Sequence, residues 1–169
     1  MTIMGGVHPR DVVIRPVEDG DRPTVAWLTT QLWGAQEVVV HDGVFRPAGL
    51  PGFIAERAGR IAGLVTFEAR QGVLEIITIN ALNLYQGIGT LLIEAVRAEA
   101  RRLGCSEVTL TTTNDNIGAL RFYQRRGFRL TALRPGAVDR SRQHKPEIPL
   151  TGDFGIPLRD EIDLSCPAQ

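Results

Sequence analysis

An α/β architecture with a mixed sheet follows from three features of this 169-residue chain. Alternating β-rich runs fill residues 53–79. The hydrophobic period changes from two to helical at Ile88, and from there helices and strands take turns, with glycines (Gly104, Gly127) closing the helices. A chain of this length suits one ordinary domain that buries roughly 70% of the surface its unfolded form exposes, and residues 1–169 are read as that unit.

Val12, Val13 and Ile14 form a β-branched run stopped by Pro16, and Asp19 and Asp21 offer caps for a helix through Trp27, Leu28 and Leu32. Residues 38–40 have strand character, but Gly43, Pro47, Gly49 and Pro51 predict loops after them. Residues 53–56 and 61–67 read as a hairpin about a turn at 57–60, and residues 73–79 add a third strand after Gln71 and Gly72. These make an antiparallel meander. Ile88, Leu91, Leu92, Ala95 and Val96 recur at helical spacing, then come a strand at 108–112, a helix at 116–126 and a strand at 128–133. A crossover helix between the Ile76 and Leu110 strands predicts that those two run parallel. Beyond Pro135, the prolines and glycines at 146, 149, 152, 155 and 157 predict a long irregular excursion before a last strand at 161–164.

Composition narrows the function. Apolar residues at 43% and charged residues at 22% are ordinary for a soluble globular protein. Nineteen basic against nineteen acidic side chains leave no large positive field, so neither nucleic acid nor a membrane surface is an expected partner. Two cysteines form no disulfide framework; Cys166 sits near the C-terminus, where chains fray, and Cys105 reads as a small buried apolar residue. No signal-like opening and no run of eighteen apolar residues occur, which predicts a cytoplasmic protein. His8, His41 and His144 are scattered without a ligand motif, so no metal is expected.

The chemistry begins at residues 85–90, Tyr-Gln-Gly-Ile-Gly-Thr, where a strand enters a glycine turn that opens a helix. The first amides of a helix lack internal partners and lie at the positive end of its dipole, a ready cradle for phosphate. Taken alone, the segment is equally a tight strand-to-helix turn; it fits neither a Walker loop nor a dinucleotide fingerprint. A second motif follows after the next strand: Asn116-Ile117-Gly118-Ala119-Leu120-Arg121-Phe122-Tyr123, then Gly127-Phe128. The pair resembles the GCN5-related N-acetyltransferases (GNAT), over nearly the whole span from the Val12 strand to the Phe128 strand.

That resemblance implies a mixed, mostly antiparallel central sheet with helices on both faces. It also implies transfer of acetyl from acetyl-coenzyme A, as acyl donor, to a small-molecule or peptide amine. Gln86, Gly87, Ile88, Gly89 and Thr90 would wrap the pyrophosphate. The family's usual Gln or Arg three residues before the first glycine is Leu84 here, with Gln86 as the substitute. The 73–79 strand would bulge or splay from the Leu110 strand, so that Ile77, Thr78 and Ile79 hold pantetheine amides, with Asn116 and Ala119 beside the arm. Asn116 is equally a helix cap.

Tyr123 lies two turns beyond Asn116 on one helix face. A phenol stays protonated at neutral pH and can donate to a departing thiolate, which with the family motif makes Tyr123 the expected general acid; without that motif it reads as a core residue. Glu75, read as sharing a strand face with Ile77 and Ile79, is the candidate general base, or a carboxylate that is solvated or paired with arginine. Glu68 and Asp115 are further candidates. Trp33 and Phe45, with Trp27 and His41, either line the acceptor pocket or pack. Cys105 stands near a helix end, not an activating N-terminus, so no covalent intermediate is expected. A non-catalytic acyl-coenzyme A sensor and a partner-binding domain are the alternatives, and a homodimer is left open.

Overall fold

The computed structural model describes residues 11–82 and 87–169. Its centre is a seven-stranded sheet. Strand β1 (Val12–Pro16) pairs with β4 (Gly52–Arg57), β4 with β5 (Arg60–Arg70) and β5 with β6 (Val73–Ala81), each antiparallel. β6 then runs parallel to β7 (Glu107–Thr113). β9 (Glu161–Pro167) lies between β7 and β8 (Arg129–Arg134), antiparallel to both, which gives the order β1-β4-β5-β6-β7-β9-β8. The meander turns use paired positive φ values, Ala58 with Gly59 and Gln71 with Gly72.

Helices cover both faces, as the resemblance implied. The crossover helix α2 (Ile88–Arg102) packs Leu92, Ile93 and Val96 onto Leu74, Ile76, Val108, Leu110 and Leu164, joined by α3 (Ile117–Gln124) through Tyr123. On the other face α1 (Arg22–Trp33) sets Val25 and Leu28 against Ile54 and Leu64. Burying each such side chain is worth about 1.5–3 kcal/mol, so these two apolar seams orient the helices. Among the described residues no helix is long and apolar enough to cross a membrane.

Two features of β6 open the sheet near its middle. Thr66 pairs with Thr78 but Phe67 pairs with Ile76, so Ile77 is an extra residue, a β-bulge. The ladder to β7 stops at Ile76 and Leu110, although β6 runs on to Ala81 and β7 to Thr113. The strand therefore both bulges and splays.

Three expectations need correction. Residues 41–51 are not simply loops, because the strand expected at 38–40, β2 (Val38–Val40), is followed by β3 (Gly43–Phe45), and the two form a separate hairpin. Its turn residues, His41 and Asp42, have φ of 37° and 65°; His and Asp are among the few side chains that enter this region with some frequency, and no glycine marks either position. The stretch after Pro135 contains α4 (Ala137–His144), which buries Ala137, Val138 and Ser141 beneath an otherwise polar sequence. The last strand runs on to Pro167, so Cys166 does not fray: it pairs with Val108 and is buried.

Candidate active site

Where β6 and β7 part, a cleft of about 240 Å³ opens. That is narrow beside usual ligand pockets and suits a thin chain more than a ring system. Ile76, Ile77 and Ile79 line one wall, Leu110, Thr111 and Thr112 the other. Tyr123 and Asn116 close it from α3, Leu32 and Trp33 from α1. Since Tyr123 belongs to the α2-side core and Trp33 stands on the helix of the other face, the cleft is a window through the sheet.

Tyr123 is 8% exposed, its ring edge-on to Phe122 and Phe128 at 5.2 and 5.6 Å. Among the described residues its hydroxyl has no hydrogen-bond partner, and no fully buried side-chain oxygen or nitrogen lacks one, so the hydroxyl opens into the cleft. Burial raises the phenol's pKa above its ordinary value. It can give a proton and take it back, but does not rest as an anion.

Asn116 does cap α3, its Oδ1 accepting the Ala119 N–H at 3.1 Å, and it lines the cleft as well. Ala119 packs against the α2-side core. Thr78 turns the other way, sharing a buried 2.7 Å hydrogen bond with the Thr66 hydroxyl. Trp33 lines the cleft, its Nε1 donating to Asn80 Oδ1 at 3.0 Å, while Lys145 Nζ donates to its carbonyl at 2.9 Å. Phe45 meets the His41 ring edge-on at 6.0 Å.

At the head of α2, Gly87 is the N-cap with φ of 76°. Gly89 has another reason to be glycine: a Cβ there would stand 2.8 Å from Phe122 Cζ. Arg126, which the sequence left unmarked, stacks on that ring at 3.6 Å and donates to Thr90 Oγ1 from Nε and Nη2 at 2.9 and 2.6 Å. A cation thus stands at the first turn of α2, with the Thr90 hydroxyl already engaged. Ile88 is 1% exposed and offers only its backbone to any ligand. Leu84 and Gln86 lie outside the described residues.

Glu75 does not share a face with Ile79. The bulge turns Ile76 and Ile79 to the α2 side, while Glu75, opposite Glu68 and Thr109, faces the α1 side. There it meets His41, Nε2 to Oε1 at 2.5 Å, a histidine partner in place of solvent or arginine. The His41 N–H donates to Glu161 Oε2 at 3.0 Å, so the hairpin turn is tied to β6 and β9 together. Thr111 donates to Asp163 Oδ1 at 2.8 Å, and Arg134 Nε to Asp163 Oδ2 at 2.8 Å. This polar face was readable in part: Thr109, Thr111 and Thr113 alternate, as do Glu161, Asp163 and Ser165. Of the weaker candidates, Glu68 pairs with Arg70 at 2.9 Å. Asp115 anchors the late loop by accepting from Thr113 Oγ1 and the Asp153 N–H at 2.6 and 2.9 Å.

The chain belongs to the GNAT family: the profile described as "Acetyltransferase (GNAT) family" matches residues 18–128. It is 40% identical over 134 residues to the uncharacterized protein YdhI of Bacillus subtilis (strain 168), covering 79% of this chain and 84% of that one. The fold is similar to that of the IAA acetyltransferase from Bacillus cereus ATCC 14579, with a TM-score of 0.71 at 21% identity over 92% of this chain and 99% of that one. It is also similar to a GNAT family acetyltransferase from Elizabethkingia anophelis solved with acetyl-CoA bound, with a TM-score of 0.67 at 21% identity over 93% and 98% of the chains.

Proposed function

We propose that the protein is an acetyl-coenzyme A-dependent N-acetyltransferase that moves acetyl to a primary amine by direct attack, with Tyr123 as general acid. The observation that carries this reading is the unpartnered Tyr123 hydroxyl at the wall of the cleft between β6 and β7. Family membership and the neighbour solved with acetyl-CoA support the donor.

In this reading the diphosphate takes the free amides at the start of α2 and the pantetheine arm runs along the unladdered edge of β6 at Ile77, Thr78 and Ile79. The arm delivers the thioester to the window. A backbone N–H of that edge polarises the carbonyl, worth about 3 kcal/mol at the transition state if it acts like other oxyanion donors. The amine arrives from the α1 side, past Trp33, and loses one proton to Glu75. Its nitrogen bonds to the carbonyl carbon and the C–S bond breaks. Tyr123 protonates the leaving sulfur and recovers a proton from the nitrogen as the amide forms. Acid and base then sit on opposite faces of one sheet.

Tyr123→Phe is expected to lower turnover about 100-fold or more while acetyl-coenzyme A affinity stays within about twofold. Free-thiol release across a panel of amines, with calorimetric binding of acetyl-coenzyme A, measures both. Unchanged turnover removes Tyr123 from the mechanism, and binding without turnover on any amine identifies a sensor instead.

A further inference from the structure

Building on the acyl-transfer reading, we propose that His41 positions Glu75 as the amine's proton acceptor and holds the transferred proton jointly with it, making the β2–β3 hairpin part of the catalytic apparatus. Glu75 comes one residue before the last β6–β7 ladder pair, on the face from which the amine would enter. Its backbone thus adjoins the place where the ladder stops, next to the lining residue Ile76, while the Glu75 and His41 side chains stand outside the cleft lining itself. The imidazole meets the carboxylate at 2.5 Å, and each side chain is about one quarter exposed, 25% and 24%. Such a pair is screened from bulk water yet reachable.

Three contacts fix the ring. The Glu75 hydrogen bond sets one edge, Phe45 stands edge-on to the imidazole, and the main chain of His41 is tied to Glu161. A hairpin of three-residue strands needs none of this to turn: glycine or asparagine fits φ of 37° at least as well, and neither carries a titrating ring. The charged groups around His41 are Glu75 from β6, Glu161 and Asp163 from β9, Arg134 from β8, and Asp42 in its own turn, which Arg140 of α4 pairs at 3.3 Å. The hydrogen bond to Glu75 raises the pKa of His41 above its ordinary value, against the opposing effects of burial and Arg134.

The step balances simply. An N–H proton of the ammonium passes to the carboxylate and is shared with the imidazole. The second leaves the nitrogen for sulfur through Tyr123, and the pair later releases its proton to water.

The test is the pH dependence of kcat/KM, with one amine and saturating acetyl-coenzyme A, for wild type, His41→Asn and Glu75→Gln. Asparagine keeps the turn conformation and removes the ring. The expected acidic limb lies above the ordinary histidine range in wild type. It moves to lower pH in Glu75→Gln, with kcat down about 100-fold. In His41→Asn it is lost above pH 6, with kcat down about 10-fold or more and the amine KM within about twofold. An unchanged limb in His41→Asn, or one common to all three proteins and so belonging to the amine, overturns the proposal. Imidazole titration by NMR gives a second readout in a folded protein: His41 should titrate lower in Glu75→Gln than in wild type, and an unmoved titration overturns the pairing. Wild type that binds acetyl-coenzyme A but acetylates no amine overturns the acyl-transfer reading instead.

Discussion

Gly87 and Gly89 stand two residues apart at the head of α2 and answer to different forces. Gly87 has φ of 76° and open space where a Cβ would go, so only its backbone demands glycine. Gly89 has ordinary dihedrals, but the Phe122 ring, held beneath Arg126, fills its Cβ site. Gly87→Ala should therefore cost about 1–2 kcal/mol through the left-handed conformation alone. Gly89→Ala should cost about 1–3 kcal/mol through overpacking, and Phe122→Leu in the same chain should recover part of that while doing nothing for Gly87→Ala. Urea unfolding of the two singles and two doubles measures the difference. A glycine pair in a sequence announces a turn; which glycine is there for its torsion and which for a neighbour is decided by a ring thirty-three residues further on.

The hairpin β2–β3 is the element whose attachment depends on pH. The His41 pKa is raised in the fold, so the stabilising contribution of the His41–Glu75 pair is fully present below about pH 6.5 and is lost as pH rises through the raised value. Glu161 acts in the same direction: burial raises its pKa, so charging it weighs against the fold once pH passes the ordinary carboxylate value. The difference in melting temperature between wild type and His41→Asn is expected to be largest near pH 6 and to shrink steadily toward pH 9. A difference that is constant across that range, or that grows, contradicts this account. α4 reinforces the attachment through Arg140 on Asp42, and Lys145 just after it ties its end to α1 at the Trp33 carbonyl. The late segment is thus tied to both the hairpin and α1, which a reading of prolines and glycines as irregular chain does not reveal.

For the whole molecule, a ligand that grips α2 at one end and the β6 edge at the other stabilises the sheet between them. Acetyl-coenzyme A at a hundred times its Kd should add about 2.7 kcal/mol, a rise of roughly 5–10 °C in Tm for a chain of this size. Differential scanning fluorimetry over a concentration series checks it, and a flat series sinks the cradle. The meander, the parallel pair, α2 and α3 were all legible, because period and glycine punctuation are local signals: Ile88, Leu92 and Val96 mark their helix wherever they stand. Tyr123, Asn116, Ile77 and Ile79, which line the cleft, were named through the family resemblance that the two motifs carry. His41, Arg134 and the pair Glu161 and Asp163 come together only after three separate elements assemble, the β2–β3 hairpin, β8 and β9, so the alternation within β9 reveals its polar face but not its partners. Glu75 was read as sharing a face with Ile79, and the single inserted residue of the bulge puts the two on opposite faces.

A passage that crosses a sheet has two doors. If the donor lies against α3 and the acceptor comes in under α1, neither occupant stands in the other's way, and the two products can depart without waiting on each other. An amine carried on something bulky, such as the end of a peptide, need offer no more than its tip, because the rest of its body stays outside on the far side of the strands.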